Sequence, residues 1–227
     1  MRGWWQEFTG LVLPVECAGC GCPRTELCER CRGLLGGAGS VRRVRPAAEP
    51  DGLPPVYAAG RYGDEVRAVV LAHKERGALG LAGPLGRALA GAALSAGAAA
   101  PAALLVPVPS ARSAVARRGH DATARMALAA ARELRRQGVR ARTVAVLRQR
   151  RPVADQALLD AAARLANLTG AVRAVGGRAG LLSAAPVVLV DDLMTTGASL
   201  TVAARAVRAA GGRVTGAAVV AGAEPVN

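Results

Sequence analysis

The segment that decides the fold is Pro186-Val-Val-Leu-Val-Asp-Asp-Leu-Met-Thr-Thr-Gly-Ala-Ser-Leu200. Its first residues predict a buried β-strand over 187–190 that ends at two adjacent carboxylates, Asp191 and Asp192. The residues that follow turn into an amphipathic helix over 198–210. Ligands of open α/β sheets bind where parallel strands end, and a helix N-terminus offers free N–H groups to an anion. The segment therefore predicts a phosphate site.

The predicted phosphate loop is the turn between this strand and this helix. Gly197 lets the backbone approach an anion closely, and neighbouring hydroxyls can donate hydrogen bonds. Asp191 and Asp192 would repel a bare polyphosphate, so we expect them to meet sugar hydroxyls or a divalent cation. A phosphorylated sugar fits this pattern, while a simple helix N-cap without a ligand is the alternative. The loop comprises Leu193, Met194, Thr195, Thr196, Gly197, Ala198 and Ser199.

Outward from this segment, apolar strands alternate with helices of ten or more residues. This alternation predicts an α/β fold with a mostly parallel sheet flanked by helices. The predicted strands cover 56–62, 104–108, 143–147, 187–190 and 214–221. The predicted helices cover 64–75, 81–99, 122–137, 154–168 and 198–210.

The composition of the chain narrows its class. Of its 227 residues, 52% are hydrophobic, which excludes a wholly disordered basic tail. Thirty basic and 16 acidic side chains give a net charge of +14, so we expect attraction to polyanions such as phosphates or nucleic acid. Lys74 is the single lysine, which also fits a general drift from lysine to arginine. Five aromatic residues supply few stacking platforms for single-stranded nucleic acid.

The five cysteines lie in the first 32 residues and predict a zinc module. Cys17-Ala-Gly-Cys20 and Cys28-Glu-Arg-Cys31 are two C-x-x-C pairs that supply four thiolates for a tetrahedral, structural Zn²⁺. Cys22 is left over as an ordinary thiol, and buried or disulfide-linked cysteines are the alternative. The predicted organisation is a zinc module over 1–32, a Gly/Pro/Arg-rich linker over 33–55, and a main domain over 56–227.

The sequence also bears on location. The apolar run near the N-terminus is too short and interrupted for a signal peptide. The uncharged stretch 88–111 is rich in Ala and Gly and is broken by three prolines, so we expect no membrane insertion. A cytoplasmic protein with reduced cysteines is expected.

The run from Asp191 to Ser199 resembles the 5-phosphoribosyl 1-pyrophosphate (PRPP) signature of type I phosphoribosyltransferases. Nearly the whole chain is similar to the ComF family of competence-associated proteins, which join a cysteine-rich zinc module to a phosphoribosyltransferase domain. Further segments that carry the resemblance are Arg61-Tyr62-Gly63, Val66-Arg67, His73-Lys74-Glu75, Val106-Pro107-Val108-Pro109, Arg117-Arg118-Gly119-His120-Asp121, Asp155-Gln156, Arg164 and Asn167-Leu168-Thr169-Gly170-Ala171.

The resemblance implies a type I phosphoribosyltransferase-like fold and a pentosyltransferase activity. The phosphate loop would hold the 5-phosphate of PRPP, and Asp191 and Asp192 would be the catalytic carboxylates at the ribose hydroxyls. Mg²⁺ would accompany PRPP, and the phosphoribosyl group would pass to an unknown acceptor. Candidates for contacts to pyrophosphate, or for orienting a loop or the substrate, are Lys74, Arg117, Arg118, Gln156, Arg164 and Asn167.

Two departures from the family pattern bear on function. His120-Asp121-Ala122 stands where many members have Phe-Asn-Gln. Thr195 stands where purine-specific relatives have an aspartate that acts as a base at the nucleobase. Purine salvage is therefore disfavoured. ComF relatives take part in DNA uptake during natural transformation, which implies two roles. In the first, the chain would be a phosphoribosyltransferase in that process. In the second, it would be a non-catalytic module that binds nucleotide or single-stranded DNA and docks a competence helicase.

Overall fold

The computed structural model describes residues 15–36, 39–99, 102–149 and 171–222. The strands are β1 (Arg42–Val44), β2 (Val56–Arg61), β3 (Ala102–Pro107), β4 (Arg140–Thr143), β5 (Leu147–Gln149), β6 (Val172–Ala174), β7 (Val187–Met194) and β8 (Val214–Gly222). The helices are α1 (Glu29–Gly36), α2 (Asp64–Glu75), α3 (Ala82–Ala93), α4 (Arg112–Arg118), α5 (Ala122–Arg136), α6 (Gly176–Ala179) and α7 (Ala198–Ala209). Single turns at Leu79–Leu81, Leu94–Ala98 and Gly180–Ser183 complete them.

Six strands form one sheet in the order β1-β2-β8-β7-β3-β4. The strands β2, β8, β7, β3 and β4 each pair in parallel with the next strand in this order. Within this sheet, only the edge strand β1 is antiparallel to its neighbour. Strands β5 and β6 form a separate antiparallel hairpin. The predicted α/β fold with a mostly parallel sheet flanked by helices is confirmed.

Each face of the sheet buries its own core, because side chains of a strand alternate between faces. In β7, Val188 and Val190 pack on the side of α1, α2, α3 and α5. Val187 and Leu189 pack on the opposite side with α7 and the β5–β6 hairpin. Most of this interior is Ala, Val and Leu, so β7 lies buried between two layers of helices. Its carboxyl end is the edge where the candidate site lies.

Within the described residues, the elements differ from the predicted ones at several places. Strand β7 continues through both aspartates to Met194 instead of ending before them. The strand predicted over 143–147 is replaced by β4 and β5, since only Ala141 of β4 is buried and the apolar signal there is weak. Helix α4 lies in a segment predicted as loop. The helix predicted over 154–168 lies outside the described residues.

The segment predicted as a linker contributes to the sheet. Residues 42–44 form β1, in which Val44 is opposite Val56 of β2. Farther along, the side chains of Arg205 and Arg208 donate hydrogen bonds of 2.9 Å to the backbone carbonyls of residues 51 and 52. This part of the chain is therefore held against α7.

The cysteine-rich segment packs on the main domain. Cys17, Cys31 and Leu35 belong to the same buried core as Val69 of α2. An ion pair of 2.6 Å between Arg30 and Glu65 joins α1 to α2 at the surface. The folding of this segment is therefore coupled to the core beneath it.

Among the described residues, no single helix is long and apolar enough to cross a membrane. Helix α2 and the helical stretch Leu79–Ala98 meet that criterion only as a pair, and the pair is bent by 119°.

Candidate functional site

The phosphate loop (193–199) leaves β7 at the carboxyl edge of the sheet and leads into α7. Gly197 is the N-cap residue of α7, with a left-handed φ of 74°, and no side chain among the described residues caps this helix. The first N–H groups of a helix have no partner within it, so they remain available to an anion. The helix therefore lacks the side-chain cap that the alternative interpretation requires.

The loop encloses a small cavity of about 40 Å³, lined by Asp191 and by residues 193–200. One water requires only ~10–15 Å³, so the cavity can admit a small anion. Leu53 packs against Gly197: a Cβ on Gly197 would lie 3.0 Å from both of its methyl carbons. The loop thus combines helix N–H groups, hydroxyls and a close backbone approach.

The two carboxylates have different surroundings, although they are adjacent in sequence. Asp191 is half-buried and lines the cavity of the phosphate loop. Asp192 is 6% exposed, does not line that cavity, and meets Lys74 of α2 instead. Consecutive residues of a strand point to opposite faces, which explains the division. The sequence pattern suggests that both carboxylates serve one site. In the structure, Asp191 faces the cavity of the phosphate loop and Asp192 faces Lys74.

Lys74 and Asp192 form the central ion pair of the site, with Nζ 2.5 Å from Oδ2. Burial of Lys74 acts to lower its pKa, but the charge and hydrogen bond of Asp192, with a contribution from Asp191, outweigh it and raise the pKa. Lys74 is therefore a cation fixed at the edge of the sheet, beside the phosphate loop.

Arg117 and Arg118, at the end of α4, converge on Glu75. Their guanidinium nitrogens lie 3.7 and 3.6 Å from Glu75 Oε2. The Arg117 side chain is 69% exposed, whereas that of Arg118 is 7% exposed. Arg118 Nε donates to the Ala114 carbonyl at 3.0 Å, and its buried Nη1 has no hydrogen-bond partner among the described residues. An unpaired donor in a buried guanidinium is costly unless a ligand meets it.

Two histidines fix the loop after α4 against α2. The ring nitrogens of His120 lie 3.0 Å from the Arg118 carbonyl and 3.1 Å from the His73 carbonyl. His73 is fully buried, its ring nitrogens lie near the carbonyls of Ala78 and Ala122, and burial lowers its pKa. The histidines thereby hold Arg118 near Lys74.

Burial, followed by the neighbouring charge of Asp192, raises the pKa of Asp191 well above its ordinary value. The Asp191 carboxyl group therefore binds a proton more tightly in the folded protein than in the unfolded chain, in which an aspartate has a pKa of about 3.9. From about pH 4 up to the folded pKa, ionisation costs stability at up to ~1.4 kcal/mol per pH unit.

We expect Asp191→Asn to melt above the parent protein at pH 7–8, with the difference shrinking as the pH falls towards 4. The amide keeps the oxygen that accepts the Asp192 N–H at 2.9 Å, so the local hydrogen bond can persist. Thermal unfolding across this pH range measures the difference, with the exposed Glu49→Gln as control. A difference independent of pH would contradict a raised pKa.

Gly197→Ala is expected to distort the phosphate loop and weaken anion binding there. The positive φ costs roughly 1–2 kcal/mol for a non-glycine residue, and the new Cβ would also displace Leu53. Gly211, at the other end of α7, has a φ of 81° and open space around it, so Gly211→Ala is a matched control. Binding of inorganic phosphate, measured by calorimetry, should fall at least about tenfold in the first variant only. Equal losses in both variants would remove the loop from phosphate binding.

Four cysteines form a second candidate site, the cysteine centre: Cys17, Cys20, Cys28 and Cys31. Their sulfurs all lie within 4.8 Å of one another, and Cys28 Sγ lies 3.6 Å from both Cys17 Sγ and Cys20 Sγ. Zn–S bonds of ~2.3 Å at tetrahedral angles place the sulfurs about 3.8 Å apart. The four cysteines could therefore hold a metal ion such as zinc.

Backbone N–H groups favour the thiolate form of Cys17. Burial acts to raise the pKa of Cys17, but N–H groups of Cys28, Cys20 and Gly19 outweigh it and lower the pKa to about 6. The Cys28 N–H lies 3.4 Å from Cys17 Sγ. A Cβ on Gly19 would lie 2.7 Å from Cys31 Sγ, so the first turn needs glycine to bring the pairs together.

Cys22 lies outside the metal-binding group, as expected for a spare thiol. Burial, followed by the neighbouring thiols of Cys20 and Cys28, raises its pKa to about 12. Cys22 therefore offers a protonated thiol rather than a fifth thiolate.

The remaining predicted site residues, Gln156, Arg164 and Asn167, lie outside the described residues. Sequence reasoning assigned no role to Glu75, which organises the two arginines, or to Leu53, which covers Gly197. The position of Glu75 directly after Lys74 was the one indication in the sequence that Glu75 could lie at the site. Nothing in the pattern around Leu53 indicates its contact with a residue so far along the chain.

Comparison of the sequence with protein-family models finds no match, and comparison with curated proteins finds none either.

Proposed function

We propose that this chain binds PRPP at the carboxyl edge of its sheet and transfers the phosphoribosyl group to an acceptor. The observation that carries the proposal is the phosphate loop with its cavity beside Asp191, next to the partly buried Lys74–Asp192 pair. PRPP consists of a phosphate, a ribose and a pyrophosphate. The helix N–H groups, the Asp191 carboxylate and the cations at this edge of the sheet offer a suitable group for each part. A type I phosphoribosyltransferase-like fold and membership of the ComF family are part of this proposal.

Each group has a task in the proposed reaction. The N–H groups at the start of α7, with Thr195, Thr196 and Ser199, bind the 5-phosphate. Asp191 accepts hydrogen bonds from ribose hydroxyls. Lys74 and Arg118 stabilise the charge that develops on the departing pyrophosphate, because fixed cations in a partly buried site need no reorganisation as charge appears.

Mg²⁺ is proposed to arrive with PRPP. The carboxylates of Asp191 and Asp192 offer the oxygen ligands that this cation prefers. When bound, it would neutralise charge on the pyrophosphate. Ion pairing to Lys74 occupies one oxygen of Asp192, which leaves Asp191 as the more accessible ligand.

The cysteine centre is proposed to hold a structural Zn²⁺. Four thiolates close the tetrahedral coordination shell, so no position remains for a reacting water. Reduced thiols fit the cytoplasmic location that we propose, without membrane insertion. The metal would fix α1 against α2, the helix that carries Lys74.

A second candidate function is binding of single-stranded DNA beside a competence helicase, without turnover. The observation that favours it is the net charge of +14. Such binding would weaken steeply with added salt, in proportion to the number of phosphates contacted. In either case the proposed biological role is in DNA uptake during natural transformation.

Thermal unfolding of the zinc-loaded protein with PRPP and Mg²⁺ tests the proposed function. A ligand at ~100 times its Kd stabilises by ~2.7 kcal/mol, which at this size raises Tm by about 5–10 °C. We expect that rise in the parent protein and its absence in Asp191→Asn/Asp192→Asn.

The matched control is Glu26→Gln/Glu49→Gln, which removes the same charge at two exposed sites and should respond like the parent. If PRPP fails to stabilise the parent, or stabilises the aspartate variant equally, the PRPP site is refuted. Stabilisation by a single-stranded oligonucleotide alone would favour the second candidate.

A further inference from the structure

A larger cleft opens between the segment after β3, the start of α5 and the β5–β6 hairpin, with a volume of about 920 Å³. Its lining includes the side chains of three arginines, Arg112, Arg148 and Arg173. Among the described lining residues, Asp121 is the one acidic side chain, and it accepts the Ala124 N–H at 3.0 Å and so caps α5. The cleft, named here the arginine cleft, therefore carries an excess of positive charge.

Two of the arginines, both exposed, occupy opposite positions in the β5–β6 hairpin. Arg148 and Arg173 are direct partners across the antiparallel β5–β6 pair. Like charges directly opposite in a sheet are destabilising. Arg148 Nη1 donates to the carbonyls of Ala145 and Leu147, and no carboxylate among the described residues pairs with either arginine. An anion between the two guanidinium groups would remove this repulsion.

The arginine cleft adjoins the phosphate loop. The segment after β3 enters it directly beside β7, since the Val108 N–H donates to the Val190 carbonyl at 2.9 Å. The hairpin packs through Val172 against Ala198 and Val202 at the start of α7. Arg173, the next residue, points to the other face of the hairpin and lines the cleft. Both sites thus share the carboxyl edge of the sheet.

We propose that the arginine cleft binds a small molecule that carries a carboxylate or another anionic group, and that this molecule is the phosphoribosyl acceptor. The second part rests on the proposed function. The volume lies in the range of small-molecule sites. Val115, Ala116 and Val175 supply an apolar wall for the body of the ligand, and the arginines supply its anchor. No aromatic residue lies in the described lining, which disfavours a stacked single strand.

The transfer balances as a substitution at the anomeric carbon. The nucleophilic atom of the acceptor forms a bond to that carbon while the bond from the carbon to the pyrophosphate oxygen breaks. The electron pair of that bond leaves with pyrophosphate, and a proton on the nucleophile passes to pyrophosphate or water. Anchoring by the arginines holds the acceptor beside the ribose without involving them in the bond changes.

The test compares two fluorinated probes of the same shape, 4-fluorobenzoate and 4-fluorobenzamide, by ¹⁹F NMR line broadening on the zinc-loaded protein. We expect the benzoate signal to broaden and the benzamide signal to stay sharp. In Arg148→Gln/Arg173→Gln, the Kd for benzoate should rise at least about tenfold, because charge-assisted hydrogen bonds are lost. This variant should melt at or above the parent temperature, since two opposed charges are removed.

Two control variants locate the effect. Arg43→Gln/Arg132→Gln removes the same charge from exposed positions and should bind benzoate within about twofold of the parent. Asp191→Asn/Asp192→Asn should lose PRPP and keep benzoate. Equal binding of both probes, no benzoate binding, or unchanged binding in the cleft variant would overturn the proposal. So would an oligonucleotide that binds through these arginines while benzoate does not. Benzoate binding without PRPP binding would refute the transferase and with it the acceptor role.

Discussion

Removal of metal from the cysteine centre is expected to abolish the cooperative unfolding of the whole chain, or to lower its Tm by more than about 10 °C. Structural zinc contributes ~10–16 kcal/mol in isolated zinc-finger peptides, comparable with the entire stability of a domain. Here Cys17 and Cys31 lie in the same core as Val69, so the loss cannot stay local. A loss of even ~5 kcal/mol lowers Tm by about 10–20 °C at this size.

Circular dichroism melts with and without a zinc chelator under reducing conditions measure this effect, alongside the bound metal per chain. Cys31→Ser should lose the metal and reproduce the chelated state. Cys22→Ser is the matched control and should keep both the metal and the parental Tm. A metal-free protein that melts at the parental temperature would contradict the structural role.

Lys74→Met is expected to destabilise the protein by about 2–3 kcal/mol, a fall in Tm of roughly 5–10 °C. It leaves Asp192, which is 6% exposed, as an uncompensated buried charge. Asp192→Asn should cost less, since the Lys74 side chain is 33% exposed and can reach water. The two losses differ because Lys74 can be hydrated once Asp192 is removed, whereas Asp192 cannot be hydrated once Lys74 is removed.

The double variant Lys74→Met/Asp192→Asn should cost no more than Lys74→Met alone, because the buried charge is gone. Arg30→Met breaks a pair whose arginine side chain is 66% exposed and should cost less than ~1 kcal/mol. Urea unfolding of the four variants measures the coupling. Additive losses in the double variant would show that Lys74 and Asp192 do not interact.

The central strand, the phosphate loop and α7 could be predicted from sequence because a long apolar run, a glycine and an apolar helix face follow one another. The two C-x-x-C pairs were equally readable, since ligand spacing is a local property. Strands β4 and β1 were harder, because few of their residues are buried and the apolar pattern is short.

The contacts that give the site its chemistry were not readable from the sequence, because they join distant residues. Lys74 and Asp192 are separated by 118 positions and meet only after α2 packs on the sheet. The adjacent aspartates suggest a single site in the sequence. In the structure, successive side chains of β7 point to opposite faces of the sheet, so the two aspartates have different surroundings. The arginine cleft depends on the register of the β5–β6 hairpin, in which Arg148 and Arg173 become neighbours.

The most direct test of a PRPP site is a calorimetric comparison of PRPP, ribose 5-phosphate and pyrophosphate, each with Mg²⁺ at 0.15 M salt. A chain of net charge +14 attracts any polyanion, so affinity for PRPP alone decides little. We expect PRPP to bind at least about 100-fold more tightly than either fragment, and Asp191→Asn/Asp192→Asn to abolish the difference. Equal affinity for PRPP and pyrophosphate, weakening in parallel with added salt, would contradict it.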